Sequence, residues 1–515
     1  MRRLILSASV LLLVGIAVFL SWASRATPQV RDRIVAALNE RFESQVALDT
    51  LQVGIFPRPE VSGSGLTLRH NNRTDVPPLI TIDSFLAGAG LRGLFGQPLR
   101  LNEISLDGLQ IRVPPGGVRI TGDVNDHEEG EHVPHEMPPS PIFIDQIVSR
   151  TARLEIISRR PGRLPRVFEI HDLVMRDFGG NEGARFQAGV SNPIPRGRVE
   201  TSGLFGPWHA DEPGLTPVSG EYTFNNADLD SIKGIGGILS SLGKYSGVLE
   251  RIVVEGQTET PDFSIDVAGQ PVPLNTRFTA IVDGTNGDTF LERVEARINE
   301  SLIVAHGEVA RTEDVKGRHV KLDVEIDGAR LEDLMRLAVK AATPPMTGQV
   351  DVATTFLLPA GDADVIDRLQ LDGRFQLARA RFANVDVQKK IATLSLRGRG
   401  QEDALPDGNS VVSNLSGSFR MRNARLSFSN LTFAVPGAVV QLSGTYDLRA
   451  EEVNFTGDLL TDASLADMTS GFKSLLARVA QPLFRRKGGG SRLPIRISGA
   501  RNKPSFGLDV KRVFR

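Results

Sequence analysis

The sequence contains no cysteine, which excludes disulfides, thiolate metal sites and a cysteine nucleophile. It has almost no net charge. Sixty Lys and Arg stand against 61 Asp and Glu, so there is no basic footprint for nucleic acid. Long apolar runs are scarce as well: Leu4 to Ala23 is uncharged, and no second stretch of that kind occurs. Local catalytic signatures are missing, with no G-x-S-x-G elbow, P-loop or H-E-x-x-H. Hydrophobic residues still make up 40% of the 515 residues, too many for a disordered chain and enough for a substantial core.

The one apolar run has the dimensions of an anchor. At about 1.5 Å per helical residue it crosses a hydrocarbon core of roughly 30 Å. Arg2 and Arg3 precede it, so the N-terminus is expected to stay in the cytoplasm and the remainder to be exported. Arg25, Arg31 and Arg33 weaken this asymmetry without reversing it. A cleaved signal peptide is the competing reading, with Ala23, Ser24 and Ala26 as a cleavage site. Signal h-regions usually run only about 7–15 residues, which favours the uncleaved anchor. Both readings export the bulk of the chain.

Beyond the anchor, Val30, Ile34, Leu38 and Phe42 recur at a spacing of four and predict a short helix with one apolar stripe. From Val46 onward the period becomes two. Leu99 and Leu101, then Leu109, Ile111 and Val113, then Val320, Leu322, Val324 and Ile326, and Leu369, Leu371, Phe375 and Leu377 all alternate as half-buried strands do. Asp283 to Thr289 reads DGTNGDT between two such runs, a hairpin signal. A weak repeat recurs as VSGEYTF at Val218, LDGRFQL at Leu371, LSGSFRM at Leu415 and LSGTYDL at Leu442. Its glycine is expected to permit a bulge or a close backbone approach, and its aromatic to restart the inward face. The copies are unequally spaced, against a solenoid of fixed period.

Three amphipathic helices are expected among the strands. The first is glycine-rich and carries Leu229, Ile232, Ile235, Leu239 and Leu242; the second carries Leu331, Leu334 and Leu337. The third runs from about Asp462 to Phe484 and stops at a basic cluster followed by glycines. Its stripe suits a cover over a sheet edge better than a membrane-surface helix. The acid-, His- and Pro-rich stretch 122–141 has no periodicity and reads as an exposed loop.

Three ligand-like patterns have bland explanations. Gly88, Gly90 and Gly93 match G-x-G-x-x-G, but Gly96 and Pro98 leave no helix to face a pyrophosphate, so a turn is expected. His127, His132 and His135 lie among glutamates without zinc spacing, as in a solvated loop. Asp283, Asn286 and Asp288 offer oxygens to calcium but lack the EF-hand pattern, and a hairpin turn accounts for them. No catalytic, cofactor-binding or metal residues are assigned, and an enzyme is not expected.

Two regions carry a resemblance. One is the anchor and helix followed by FPRPEVSGSGLTLRH, Phe56 to His70, and LRLNEISLDGLQIRVP, Leu99 to Pro114. The other is FAVPGAVVQLSGTYDLRAEEVNFTGDLL followed by GFKSLLARVAQPLFRRKGGGSRLPIRISGARNKPSFGLDV. Together, and in this order behind one anchor, they resemble the AsmA-like family of bacterial envelope proteins. The stretch from about Pro141 to Arg368 matches in strand style only.

The resemblance implies a single-pass inner-membrane protein with its bulk in the periplasm. It also implies similarity to TamB and chorein-type bridge proteins, whose curved sheets carry lipid on a greasy concave face, and a link to phospholipid transport and outer-membrane biogenesis. The expected fold is mostly β with a few helices: a transmembrane helix, then an elongated, curved antiparallel β-groove. The expected divisions are 1–26 anchor, 27–121 N-terminal module, 122–141 loop, 142–461 groove and 462–515 terminal helix and strand pair. Leu371, Phe375, Leu377, Phe419, Met421, Tyr446 and Leu448 are the candidates for lining the groove. Phospholipid acyl chains and the inner membrane are the expected partners, with outer-membrane assembly or lipid-transport proteins beside them and no nucleic acid. A scaffold for outer-membrane protein assembly, binding through sheet edges, is the alternative. A polysaccharide hydrolase is a weaker third, since it needs two close carboxylates.

Overall fold

A computed structural model describes residues 31–509, apart from 33, 37, 40–44, 55–59, 70–76, 89–98, 114–141, 157–165, 210–211, 233, 266–267, 313–314, 316, 339–342, 362, 402–410, 465–485, 487–488 and 501–502. The anchor segment, the loop 122–141 with its histidines, and nearly all of the third expected helix lie outside the described residues. No helix among the described residues is long and apolar enough to cross a membrane. The protein is mostly β, with 26 strands among the described residues. They fall into two units. The first comprises 1–228, 240–256 and 280–289, and the second 229–239, 257–279 and 290–515.

The first unit opens with β1 (Gln45–Ala47), β2 (Thr50–Gly54), β3 (Glu60–Arg69), β4 (Ile80–Gly88), β5 (Leu99–Asp107) and β6 (Leu109–Val113). Strands β1 and β2 both pair with β3, β3 pairs with β4, and β4 pairs with β5 and β6, all antiparallel. Strand β7 (Ile142–Ile156) then pairs in parallel with β5 and β6. The stretch 122–141 was expected to part an N-terminal module from the main body, yet the strands on its two sides are direct neighbours. Antiparallel pairing continues through β8 (Arg166–Phe178), β9 (Ala184–Pro193), β10 (Arg196–Phe205) and β11 (Pro217–Asp228). Gly88 ends β4 in extended pairing with Glu103 and Glu60.

The expected glycine-rich helix is a strand. After a 3-10 turn at Leu229–Ser231 come β12 (Ile235–Gly236) and β13 (Ile238–Val248). Gly234 and Gly237 adopt positive φ, which breaks a helix, and β11 offers β13 a ladder to join. Leu242, assigned to the helical stripe, is 51% exposed. The chain goes on through β14 (Arg251–Ile265), β15 (Ala268–Val282), β16 (Thr289–Ile298) and β17 (Ser301–Arg311).

In the second unit, β18 (Arg318–Arg330), β19 (Met346–Leu358), β20 (Gln370–Phe382), β21 (Ser413–Arg422), β22 (Arg425–Val435), β23 (Ala438–Asp447), β24 (Glu452–Thr461), β25 (Ser491–Ala500) and β26 (Ser505–Leu508) each pair antiparallel with the next. Tight turns set the register. Asn423 and Ala424, both at positive φ, join β21 to β22, and Pro436-Gly437 joins β22 to β23. Register shifts at 327–328, 378–379 and 429–430 place single bulges in β18, β20 and β22. Each bulge returns the alternation to the same face, so Leu377 and Ala380 share a side, as do Phe428 and Leu431.

Two helices cover one end of this face. The expected second helix is present as α1 (Leu331–Ala338), whose Leu331 and Leu334 pack on Ala329, Val350, Leu377 and Ala380. A short α2 (Val365–Arg368) precedes β20. Helix α3 (Val385–Gly398) starts on Asn384, whose side chain accepts from the backbone N–H groups of Asp386 and Val387. Its Ile391 and Ala392 pack on Val411, Val435 and Ala438, with Phe382, Phe433 and Leu459 alongside.

Candidate functional site: two apolar surfaces

In the first unit, alternation aims one face of each strand inward. From β3 to β8 those faces converge with the helical residues Ile34 and Leu38, two members of the stripe read at a spacing of four. Val61, Ala87, Leu101, Ile142 and Ile144 are buried there. The convergence leaves a cavity of about 280 Å³, lined by aliphatic and aromatic residues and Met175. Phe205 and Trp208, their rings 6.2 Å apart, line it from the end of β10 and the loop that follows. With no charged, amide or hydroxyl side chain in its lining, this space offers water little and suits hydrocarbon.

The second unit carries an open counterpart. The pairing register aligns Leu371, Met421, Leu426, Tyr446 and Val453 in one row across β20 to β24. The next row holds Phe419, Phe428, Gly444, Phe455, Ile497 and Phe506. Phe375 lies 6.3 Å from Phe419 and 6.5 Å from Phe428, edge-on to the latter, and Phe428 lies 5.8 Å from Phe455. The opposite face is polar. Arg420 pairs with Asp372 at 2.8 Å, Arg425 with Asp447 at 3.0 Å and Arg492 with Asp458 at 2.7 Å. Such cross-strand pairs tie neighbouring strands while their arginines stay exposed.

Of the seven groove candidates, six lie on these strands with their side chains on the apolar face, and Leu448 sits in the turn just past β23. Leu371, Phe375, Phe419, Tyr446 and Leu448 are half-buried. Leu377 is buried beneath α1 as part of the core, and Met421 is buried too. Phe356, Phe428 and Phe455 belong to the same face and were not singled out, although each sits at an alternating position. The cavity in the first unit was not anticipated. Its residues alternate in sequence, but nothing in a linear pattern says that strands so far apart converge.

The repeat motif has a clear role. Gly373 faces Phe419, Gly417 faces Phe375, and Gly444 faces both Phe428 and Phe455. A Cβ on Gly444 would lie 2.8 Å from the Phe455 ring, so Gly444 makes room for that aromatic, whereas one on Gly373 would meet Thr354 and the Ala353 carbonyl and one on Gly417 would meet Leu431. None of the three adopts positive φ; close approach, rather than a strained turn, is what the glycine supplies.

Other polar features close on themselves. Asp283 is fully buried, and its carboxylate accepts from the N–H and hydroxyl of Thr285 and from the Asn286 amide; Asn286 in turn accepts from the N–H of Asp288. These oxygens accept hydrogen bonds within the hairpin turn. A hollow of about 600 Å³ on the first unit is lined by Arg198, Glu200, Glu221 and Lys244. Two ion pairs lie along it, Arg198 with Glu200 at 3.3 Å and Lys244 with Glu221 at 3.0 Å, and Asp172 also lines it. No cluster of three metal-ligating side chains occurs among the described residues. No protein-family model, no curated protein and no solved structure matches this chain.

Proposed function

We propose that this chain is a membrane-anchored envelope protein that binds phospholipid acyl chains and takes part in moving them between the inner and outer membranes. The observation that carries this reading is the cavity whose lining holds no charged, amide or hydroxyl side chain. Burying hydrocarbon is worth about 0.8 kcal/mol per methylene and needs no specific polar contact. The half-buried row of Leu371, Phe375, Phe419 and Tyr446 supports it, because an apolar face left half open is stabilised by an apolar ligand. The anchor at Leu4 to Ala23 and the resemblance to AsmA-like proteins supply the location.

One observation favours the scaffold reading. Phe506 is 71% exposed and Leu508 53% exposed on the short terminal strand β26, where another protein's strand finds a ladder and two side-chain anchors. Photocrosslinking from the full chain in its envelope separates the two. Lipid adducts at Phe178, in the cavity, are expected of a lipid carrier. Protein adducts at Phe506 with no lipid at Phe178 would replace the carrier with the scaffold.

A further inference from the structure

The cavity of the first unit is narrow for its length. One end of its lining is the row Val46, Leu68, Ile80 and Ile111, which strand pairing sets side by side. Further along lies the row Val61, Ala87 and Ile104. Seven residues of β3 and seven of β4 separate the two rows, a distance of roughly 20 Å. Spread over that length, 280 Å³ leaves a mean cross-section of about 14 Å². Carbon atoms in van der Waals contact lie about 3.5–4.0 Å apart, so one extended alkyl chain fills such a section and two abreast do not fit. The Phe85 ring sits on Gly63 of the neighbouring strand, where a Cβ would lie 2.6 Å from it. A bulky side chain of the lining is thereby drawn back against the sheet.

Volume also limits how much of a chain enters. An apolar cavity of about 150 Å³ takes up benzene, with its six carbons, so on that scale 280 Å³ takes about eleven. Nothing in the lining reads a head group, because no charged, amide or hydroxyl side chain stands there. A phosphate or carboxylate drawn inside would lose its hydration without gaining a partner, so the head group stays outside. A lipid with two chains would seat one and leave the other to water or to another surface, whereas a lipid with one chain buries its hydrocarbon in a single step.

We infer that the cavity takes one alkyl chain to a depth of about eleven carbons, and that its ligand is a monoacyl lipid, whether lysophospholipid or fatty acid. This inference rests on the lipid-carrier reading and names the lipid class of its cavity.

The test uses the full chain in a fluorinated surfactant, which does not compete for a hydrocarbon site. Monoacyl phosphocholines with chains of about eight to sixteen carbons, each below its micelle-forming concentration, displace a radiolabelled member of the series. Each added carbon up to about eleven should tighten binding about fourfold, and each carbon beyond that by less than about twofold. A second chain of the same length should add no more than about twofold. A fatty acid and a monoacyl phosphocholine of equal chain length should bind within about fivefold of each other, since the chain alone is read. Phe205→Ala removes a ring from the lining and should move the break to longer chains by about two carbons or more. Four results would each overturn the single-chain site and leave the carrier reading standing: a fourfold gain per carbon that persists to the longest chain, a two-chain lipid bound more than about tenfold tighter, a head-group preference above about tenfold, or an unmoved break in a folded Phe205→Ala protein. Binding of no member of the series, with no lipid adduct at Phe178, would overturn the carrier reading and this inference with it.

Discussion

Replacing Phe375 by glutamate tests whether the open face of the second unit works through its apolarity. The ring lies 6.3 Å from Phe419 and 6.5 Å from Phe428. Each aromatic pair is worth about 0.5–1.5 kcal/mol beyond burial, and half-burying the side chain contributes about 1 kcal/mol more. Loss of the ring should therefore cost about 3 kcal/mol, within what a sheet of this size tolerates, because the carboxylate can turn to solvent. The effect on lipid should be larger. Displacing three or four methylenes at about 0.8 kcal/mol each weakens binding by about a hundredfold. Phe375→Leu keeps an apolar surface and should lose no more than about fivefold. The assay is the yield of lipid photoadducts at Leu426, on the same face, with circular dichroism to establish that both variants fold. Unchanged adducts in a folded Phe375→Glu protein would refute the reasoning. Equal loss in Phe375→Leu would show that shape, not polarity, governs the site.

Three further outcomes follow from the geometry. Asn384→Ala removes the cap that accepts from the N–H groups of Asp386 and Val387 at 2.9 and 3.1 Å. It should cost about 1 kcal/mol and speed amide exchange in the first turn of α3; unchanged exchange would remove the cap from the account. Gly373→Val puts a Cβ 2.6 Å from the backbone oxygen of Ala353 and 2.6 Å from Thr354 Cβ. Overpacking of about 1–3 kcal/mol should lower the melting temperature, and a neutral result would mean that the strands can part without strain. Burial raises the Asp283 carboxyl above its ordinary 3.8, so the folded chain holds that proton more tightly than the unfolded one. Its contribution to stability is full below 3.8, falls as pH rises toward the raised value and is flat above it. Asp283→Asn should flatten that slope, as urea titrations across this range would show; an unaltered slope would assign it to another group.

Much of the strand content was legible because alternation is a local property. Val320, Leu322, Val324 and Ile326 declare β18 without reference to any other strand, and the DGTNGDT turn carries its own hydrogen-bonding partners within a few residues. The segment 229–242 misled for the converse reason. Its apolar spacing imitates a helix, and the glycines at positive φ together with a neighbouring strand decide against one. The repeat was visible, but its purpose was not, since Gly373 and Phe419 face each other only once β20 and β21 are in register.

By itself, then, the sequence determined that the chain is β-rich, which residues share a face within each strand, that Leu331 and Leu334 lie on one helix, and that cysteine chemistry is absent. Only the tertiary structure decided which faces meet. It closed the strands of the first unit around an apolar cavity, and in the second left a row of aromatics half open while α1 and α3 cover one end. The physical reason is that period-two patterning records burial along one strand, whereas neighbours, bulges and register come from backbone hydrogen bonds that any residue but proline can make.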